Sequence, residues 1–306
     1  MSTPTLAQAR SHYNRQRQIV AAGVLAVRSL FRRRRPLVEV VNTVAAYQYA
    51  SATASAATMA AWAGDDGVLT VPEVFAGVSS YGFPISEPIV ATIDQFVPAP
   101  VEPLPAVWWD ETAKFMQAVE QLIASEIADA GRTASQTEFV SRPDWQNYVR
   151  MLNPPSCARC AVLAGRIYRD LEAFQRHPGC DCVMIPVQDW ESAHDAGYTS
   201  SFKAAFDRGD VRGLSEADAQ AIRDGADPNR VVNATRGTGT PGITNAYRTE
   251  LFGHKVKATH DATTKRSAWR KANPTLLVRL RPESIYKFAE DREDAIRLLR
   301  LYGYIK

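Results

Sequence analysis

The chain has 306 residues, of which 45% are hydrophobic and 23% charged, with 17 Gly and 18 Pro. This composition is typical of a globular protein and excludes a collagenous, disordered or small disulfide-stapled chain. Its length is typical of two domains. The formal net charge of +3 is too close to balance to indicate a nucleic-acid binder by itself.

Charge is distributed in blocks along the chain. Residues 1–36 contain eight arginines and no acidic residue, whereas residues 37–113 contain nine acidic residues and no lysine or arginine. A second basic region covers residues 230–281, with eleven basic and two acidic residues. Such blocks favour surfaces for partners of opposite charge, although a solvated face gives the same pattern.

The first half of the sequence predicts helices. Apolar residues at helical spacing predict a long helix over Thr5–Phe31 and an alanine-rich helix over Leu37–Ala63. Seven prolines make residues 70–107 an irregular connector, with one short helix at Glu87–Gln95. A strongly amphipathic stretch predicts another helix over Asp110–Gly131.

No targeting or membrane segment is predicted. The N-terminus lacks the short basic region, apolar core and small-residue cleavage site of a signal peptide. Residues 40–64 are uncharged, but they consist of Ala, Ser, Thr, Gln, Asn and Tyr rather than Leu and Ile. We therefore interpret this stretch as a closely packed helix whose small side chains let a neighbouring helix or another subunit approach.

The second half changes character after Ser141. Apolar residues at helical or near-helical spacing from Trp145 to Leu152 predict a short helix that Pro154 ends. Further on, Ser215 and Asp227 are the predicted N-cap residues of two consecutive helices.

These two helices have two interpretations. A compact helical hairpin in the core is favoured, because the second helix is short and a DNA-reading helix must be exposed and basic. If the pair reads DNA instead, Arg230 and Arg236 are the expected contacts.

The fold class predicted from these patterns is α+β and predominantly α-helical, with a helical N-terminal half and a smaller α+β C-terminal domain built around a Cys/His cluster. The predicted ranges are a helical assembly domain over 1–140, with its basic helix over 1–36 and its connector over 70–107, and a C-terminal domain over 141–306, with its Cys/His motif at 157–182 and a terminal helix at 282–302.

All four cysteines fall within 26 residues, together with one histidine. They form the pattern C-x2-C, sixteen residues, then H-x2-C-x-C, and the candidate ligands are Cys157, Cys160, His177, Cys180 and Cys182. Soft thiolates and an imidazole beside a C-x2-C knuckle are typical of a structural, tetrahedral zinc site. Five candidates exceed the four positions of a tetrahedral site. The predicted ligands are therefore either Cys157, Cys160, His177 and one of the two later cysteines, or all four cysteines, with His177 beside the ligands rather than among them.

Two considerations weigh against this zinc site. On a strand, Cys180 and Cys182 would point to opposite faces, so both can bind one metal only from a loop. Disulfide bonds are the alternative, because virions and secreted proteins meet oxidising conditions. A catalytic zinc is not favoured, because the sequence has no H-E-x-x-H helix.

The cysteine-bearing segments resemble a phage family. Residues 153–165 (NPPSCARCAVLAG) and 174–182 (FQRHPGCDC) are similar to the signature of Mu F-like phage minor capsid proteins, which are related to the head morphogenesis proteins of tailed phages. Residues 219–237 and 281–304 agree with the form found in phages of actinobacteria. The resemblance implies a protein encoded near the portal gene, present in few copies per head and acting in head assembly or DNA delivery.

The resemblance also implies partners and a location. The expected partners are the portal protein and the major capsid protein, with no membrane and no small-molecule substrate. The expected location is the virion, at the capsid interior or portal vertex, and the host cytoplasm during assembly.

Two other functions remain open from the sequence. Many members of the resembling family carry the label of capsid maturation protease, but we identify no catalytic residue: no G-x-S-x-G elbow is present, and the crowding of thiols around His177 favours metal or disulfide chemistry over one activated nucleophile. The other is a DNA-binding protein packaged in the head, which would contact phosphates non-specifically. The residues predicted to contact DNA or a protein partner are Arg32, Arg33, Arg34, Arg35, Lys255, Lys257, Lys265, Arg266, Arg270 and Lys271.

Overall fold

In a computed structural model of the chain, the described residues are 3–64, 67–96, 113–170, 172–174, 176–177, 179–180, 182–235, 246–251, 254–259, 261–263, 266–276 and 278–306. The described part is predominantly helical, with a helical N-terminal half and a smaller α+β C-terminal part that carries a Cys/His cluster, which confirms the predicted fold class. The chain divides into two compact units. The first unit comprises Met1–Asn153 and Ala164–Ser200, and the second comprises Pro154–Leu163 and Ser201–Lys306.

Helices make up most of the first unit. They are α1 (Leu6–Arg32), α2 (Leu37–Ala63), α3 (Ser86–Asp94) and α4 (Ala113–Val140), with a short 3-10 turn at Pro72–Phe75. Thr5 begins α1 through a reciprocal capping box with Gln8, and Gly64 ends α2 in the left-handed conformation, with φ of +74°. The four predicted helices are therefore confirmed.

Helix α4 extends beyond its predicted end at Gly131. This glycine is a packing residue and not a C-cap: a Cβ atom there would collide with the Ser51 and Ser55 side chains of α2. Small residues on both helices thus let α2 and α4 approach closely, as the alanine-rich sequence predicted. None of the described helices combines the length and apolar character that a membrane span requires.

Helices α1, α2, α3 and α4 of the first unit, the helical layer, enclose a core of aliphatic and aromatic side chains. Its fully buried members come from all four helices and include Val27, Phe31, Val40, Val44, Ile85, Ile89, Phe115, Val119, Ile123 and Ile127. Each fully buried side chain of this size contributes about 1.5–3 kcal/mol relative to an exposed one. The core accounts for the stability of the layer that holds the functional surfaces described below.

A small antiparallel sheet completes the first unit, together with α6 (Trp190–Asp195). Its order is β3 (Ile167–Arg169), β1 (Asn147–Met151), β4 (Val183–Val187), and Tyr148 pairs with Tyr168 on one side and Pro186 on the other. The prediction of a helix over residues 145–152 is wrong. All residues from Tyr148 to Met151 are buried, so the apolar spacing reflects a strand covered on both faces.

The second unit consists of short helices and strands. Its elements are β2 (Ser156–Cys157), α5 (Ala158–Ala161), α7 (Phe202–Asp207), β5 (Val211–Arg212), α8 (Glu216–Arg223), α9 (Pro228–Thr235), β6 (Ala246–Leu251), β7 (His254–Thr259), α10 (Ala268–Ala272), β8 (Arg279–Leu280), α11 (Pro282–Phe288) and α12 (Arg292–Leu301). Strands β2 and β5 are parallel, and β6, β7 and β8 form an antiparallel sheet in that order.

Helices α8 and α9 form the predicted hairpin. Ser215 caps α8, and the Asp227 carboxylate accepts a hydrogen bond of 2.8 Å from the Asn229 amide at the start of α9. Val231 of α9 is fully buried, and the Arg230 guanidinium donates to the Gly303 carbonyl at 2.5 Å. The hairpin is thus part of the core of the second unit, while Arg236 lies outside the described residues.

The predicted terminal helix over 282–302 is two helices in the structure. Helix α11 ends at Phe288, and Asp291 caps a new helix, α12, by accepting from the Asp294 amide at 2.8 Å. A residue with a strong preference for the N-cap thus interrupts an otherwise helical periodicity. The predicted boundary between the two domains, between residues 140 and 141, coincides with the end of α4. The division of the chain into these two domains stays a prediction.

Candidate metal centre

A tight knuckle holds the first two cysteines. Cys157 is the last residue of β2 and the N-cap of α5, and its Sγ accepts a hydrogen bond of 3.4 Å from the Cys160 amide. This hydrogen bond is the local signature of a C-x2-C turn that aims two sulfurs at one point. Cys160 is buried, and Cys157 is partly exposed.

The second pair of cysteines lies in a loop. Cys180 and Cys182 precede β4, and a turn from the Cys180 amide to the His177 carbonyl, at 3.0 Å, returns the chain toward the histidine. The two sulfurs are 2.8 Å apart. The objection that both cysteines would point to opposite faces of a strand therefore does not apply.

The predicted ligands form two overlapping groups of side chains. One group is Cys157, Cys160 and His177, and the other is Cys160, Cys180 and Cys182; within each group the ligand atoms all lie within 4.8 Å of one another. Cys160 belongs to both groups, and all four cysteines are thiols in the structure. This donor set fits a soft, tetrahedral cation, so the cluster could hold a metal ion.

Two arginines missed by the sequence analysis contact the second cysteine pair. Arg150 of β1 is only 2% exposed, donates from Nη1 to the Cys182 Sγ at 2.6 Å, and lies 4.1 Å from the centre of the Phe174 ring. Arg132 of α4 donates to the Cys180 carbonyl and to the Asp129 carboxylate. The signal that could have identified Arg150 is a charged residue inside an apolar stretch, Tyr148-Val149-Arg150-Met151.

These arginines lie in a field of negative charge. Burial opposes the charge on Arg132, but Cys180, Asp129 and Cys182 outweigh this effect and raise the pKa of the Arg132 guanidinium above its usual value. A cluster of thiolates around a dication keeps a net negative charge, so buried guanidinium groups at this place compensate the charge of the occupied site.

The basic residues predicted to bind DNA or a partner are mostly exposed. Arg32, Arg33 and Arg34 are exposed at the end of α1 in the first unit, and Arg35 pairs with Glu39 at 2.7 Å. In the second unit, Lys255, Arg266 and Lys271 are exposed and Lys257 lies 3.4 Å from Glu283.

Two residues of this set differ from the others. Arg270 donates to the carbonyls of Asn273 and Leu276, so it supports a turn of its own unit. Lys265 lies outside the described residues.

A family model described as VG15 protein matches residues 86–208. The match covers less than half of the chain and includes the whole Cys/His motif. This family is a phage-associated viral gene family, so the match indicates a phage protein. Neither the curated proteins nor the solved structures contain a match to the chain.

Proposed function

We propose that this protein is a structural component of the phage head, a minor capsid or head morphogenesis protein that acts at the portal or inner capsid during head assembly or DNA packaging. The phage family match supports the general class. The resemblance of residues 153–182 to the Mu F-like signature supports the more specific role. A third support is a surface suited to a protein partner.

This surface is an exposed apolar segment, residues 68–83, between α2 and α3. Seven large apolar side chains in it are between 39% and 78% exposed: Val68, Leu69, Val71, Val74, Val78, Tyr81 and Phe83. Exposed apolar side chains are normal when they are scattered singly, whereas a concentration of them marks a surface that binds another protein. This concentration is the observation that carries the proposal.

The backbone of the apolar segment is fixed although its side chains are exposed. The buried carboxylate of Glu138 accepts hydrogen bonds from the Leu69 and Thr70 amides at 3.1 and 2.8 Å, and Glu126 accepts from the Ser80 amide at 2.7 Å. Gln48 donates to the Val78 carbonyl at 2.8 Å. A surface that is already ordered loses little conformational entropy on binding, which favours a stable contact in an assembly.

Co-expression with the portal protein and the major capsid protein of the same phage tests this surface. We expect the unchanged chain to co-purify with one of them and the double variant Tyr81→Ser, Phe83→Ser to lose most of that association. The matched control is Leu25→Ser, Trp190→Ser, which removes two other side chains of the same unit that are 59% and 50% exposed. Equal association of all three proteins would contradict the role of the segment.

We also propose that the Cys/His cluster binds one structural zinc ion. The donor chemistry fits zinc, and Cys160 belongs to either ligand set. In both sets zinc would join the ends of the segment 157–182, so its removal would unfold that segment.

Metal analysis of protein purified without chelator tests the zinc proposal. We expect one zinc per chain and protected thiols, with loss of cooperative unfolding when chelator is added. His177→Ala decides between the ligand sets: retention of zinc assigns all four sulfurs, whereas loss of zinc assigns His177 as a ligand. Metal-free protein with two disulfide bonds would overturn the proposal.

The maturation protease is the second candidate, and one observation favours it: His177 lies within 4.8 Å of the Cys157 and Cys160 sulfurs, as a cysteine nucleophile and its base require. Incubation of the purified protein with the major capsid protein distinguishes the protease from the structural component. Cleavage that is lost in Cys157→Ser or Cys160→Ser would replace the structural role by the enzymatic one.

A further inference from the structure

The first unit contains a cavity of about 290 Å³ whose lining includes one cysteine of the Cys/His cluster, Cys180. Residues of α1 and α4 form its walls, and another side is lined by Phe174, Gly179, Cys180, Val183 and Met184. Most of its surface is apolar, and Phe174 and Met184 are among its lining residues. Small-molecule sites have this character: a mostly apolar cavity with a few convergent polar groups.

Two buried polar atoms at this cavity lack a hydrogen-bond partner. His12 Nδ1 and Ser55 Oγ make no hydrogen bond to any part of the chain that the structure describes. The side chains are only 5% and 1% exposed, so bulk water does not reach them freely. Buried polar groups without partners are rare in native proteins, and two of them at one cavity are consistent with a bound molecule that satisfies both.

Two arginines line the cavity, Arg17 and Arg132, and no carboxylate is found among its described lining residues. Of the two, Arg132 faces the cysteines and Asp129, whereas Arg17 is exposed. Asp129, which pairs with Arg132 at 2.9 Å, is shared with Arg176 at 3.0 Å, so one carboxylate faces two guanidinium groups. The ligand that complements this arrangement carries a negative charge.

We propose that the cavity binds a small organic anion, with its carboxylate between Arg17 and Arg132, its apolar body against Phe174 and Met184, and hydrogen bonds to His12 and Ser55. The volume of about 290 Å³ is roughly twice that of an engineered apolar cavity of roughly 150 Å³ that binds benzene, so it has room for benzene with a polar substituent. A bound ligand of this kind differs from the sequence-based expectation of no small-molecule substrate. It does not rest on the proposed role in head assembly, although Cys180 of the Cys/His cluster and Arg132, which contacts Cys180, also line the cavity.

Calorimetric titration of the full chain with sodium benzoate, and with the neutral isostere benzamide, tests this site. We expect benzoate to bind about tenfold more tightly than benzamide, because a charge-assisted pair with a guanidinium exceeds a neutral hydrogen bond by about this factor. Equal affinity for both compounds would overturn the anion assignment, and absence of binding by both would overturn the site.

Three variants locate the binding. Arg17→Gln removes an exposed guanidinium, so we expect it to fold and to weaken benzoate binding several-fold while benzamide is unaffected. The matched control is Arg10→Gln, an exposed arginine of the same helix that does not line the cavity. Ala128→Leu fills the cavity and should abolish binding of both compounds. Benzoate affinity that is the same in Arg17→Gln and Arg10→Gln would place the ligand elsewhere.

Discussion

Arg150 is a buried cation on the central strand of a three-stranded sheet, and its contacts give it a specific task. Its guanidinium lies over the Phe174 ring and donates to the Cys182 sulfur at 2.6 Å. An isolated buried charge is costly, so a cation at this place requires a negative partner. In the zinc-bound form proposed above, a metal-bound thiolate would supply that partner, and the stability of β1 would then depend on the occupancy of the cluster.

Replacement of Arg150 by methionine should therefore weaken zinc binding. Loss of a hydrogen bond to a ligand atom typically reduces metal affinity by about 10–100-fold. Competition with a chromophoric chelator measures this change. Arg166→Met is the control, because Arg166 also lies over an aromatic ring, Tyr168 at 4.1 Å, but its side chain is 59% exposed. Equal zinc affinity in both variants would show that Arg150 does not support the metal site.

His12 is a second residue whose environment sets its chemistry. Burial, reinforced by the nearby charge of Arg15, lowers the pKa of His12 to about 4, from an ordinary value of 6.5. The ring lies edge-on against Trp62, with 5.5 Å between the ring centroids. In the folded protein the imidazole is therefore neutral at pH 7.

The lowered pKa of His12 predicts that the free energy of unfolding decreases as the pH falls. The unfolded chain binds the proton more tightly than the folded one, so stability is fully present above pH 6.5 and is lost as the pH falls from 6.5 toward 4. The loss amounts to about 3 kcal/mol for a shift of this size. Urea unfolding at pH 7 and pH 4.5 measures it, and His12→Gln should remove this component. The same pH dependence in the variant would assign the effect to other groups.

At the scale of elements, helix α4 organises the first unit. It packs against α1 and α2, and three of its buried carboxylates face other segments. Glu138 is fully buried and accepts from Arg142 at 2.5 Å as well as from the Leu69 and Thr70 amides. Burial opposes its ionisation, but the hydrogen bonds from Thr70 and Arg142 outweigh burial and lower the pKa of Glu138.

Glu138→Ala should destabilise the first unit and release the apolar segment. Removal of one partner from a buried ion pair costs about 3–5 kcal/mol, because the other partner stays buried and uncompensated. Chemical denaturation gives the energy, and amide exchange at Leu69 and Thr70 reports on the segment. Glu120→Ala, which breaks the more exposed pair with Arg28, should cost less than about 1 kcal/mol. Slow exchange at Leu69 and Thr70 in the Glu138 variant would mean that other contacts order the segment.

The elements that could be predicted from the sequence are those with local signals. Helices α1 and α8 begin with capping boxes, α2 ends at the left-handed Gly64, and the C-x2-C knuckle is a local motif. The strand β1 could not be predicted, because its partners come from residues 167–169 and 183–187 and only pairing separates a short buried strand from a helix. The two arginines at the cluster are also brought there by tertiary packing alone.

At the scale of the whole molecule, the chain combines a helical core, an exposed apolar segment over residues 68–83 and a Cys/His cluster. An assembly protein needs a stable core and an ordered surface for partners, and both are present in the first unit. The exposed arginines at the end of α1 add a basic site, where non-specific contact with DNA would fall steeply as salt increases. We expect any such DNA contact to accompany the structural role and not to replace it.

The most direct test of the structural role is the protein composition of purified phage particles and their precursors, measured by quantitative mass spectrometry. The account predicts that this chain is present in precursor or mature heads, in far fewer copies than the major capsid protein. Its absence from both, while it is abundant in the infected cell, would contradict the proposal that it is a component of the head.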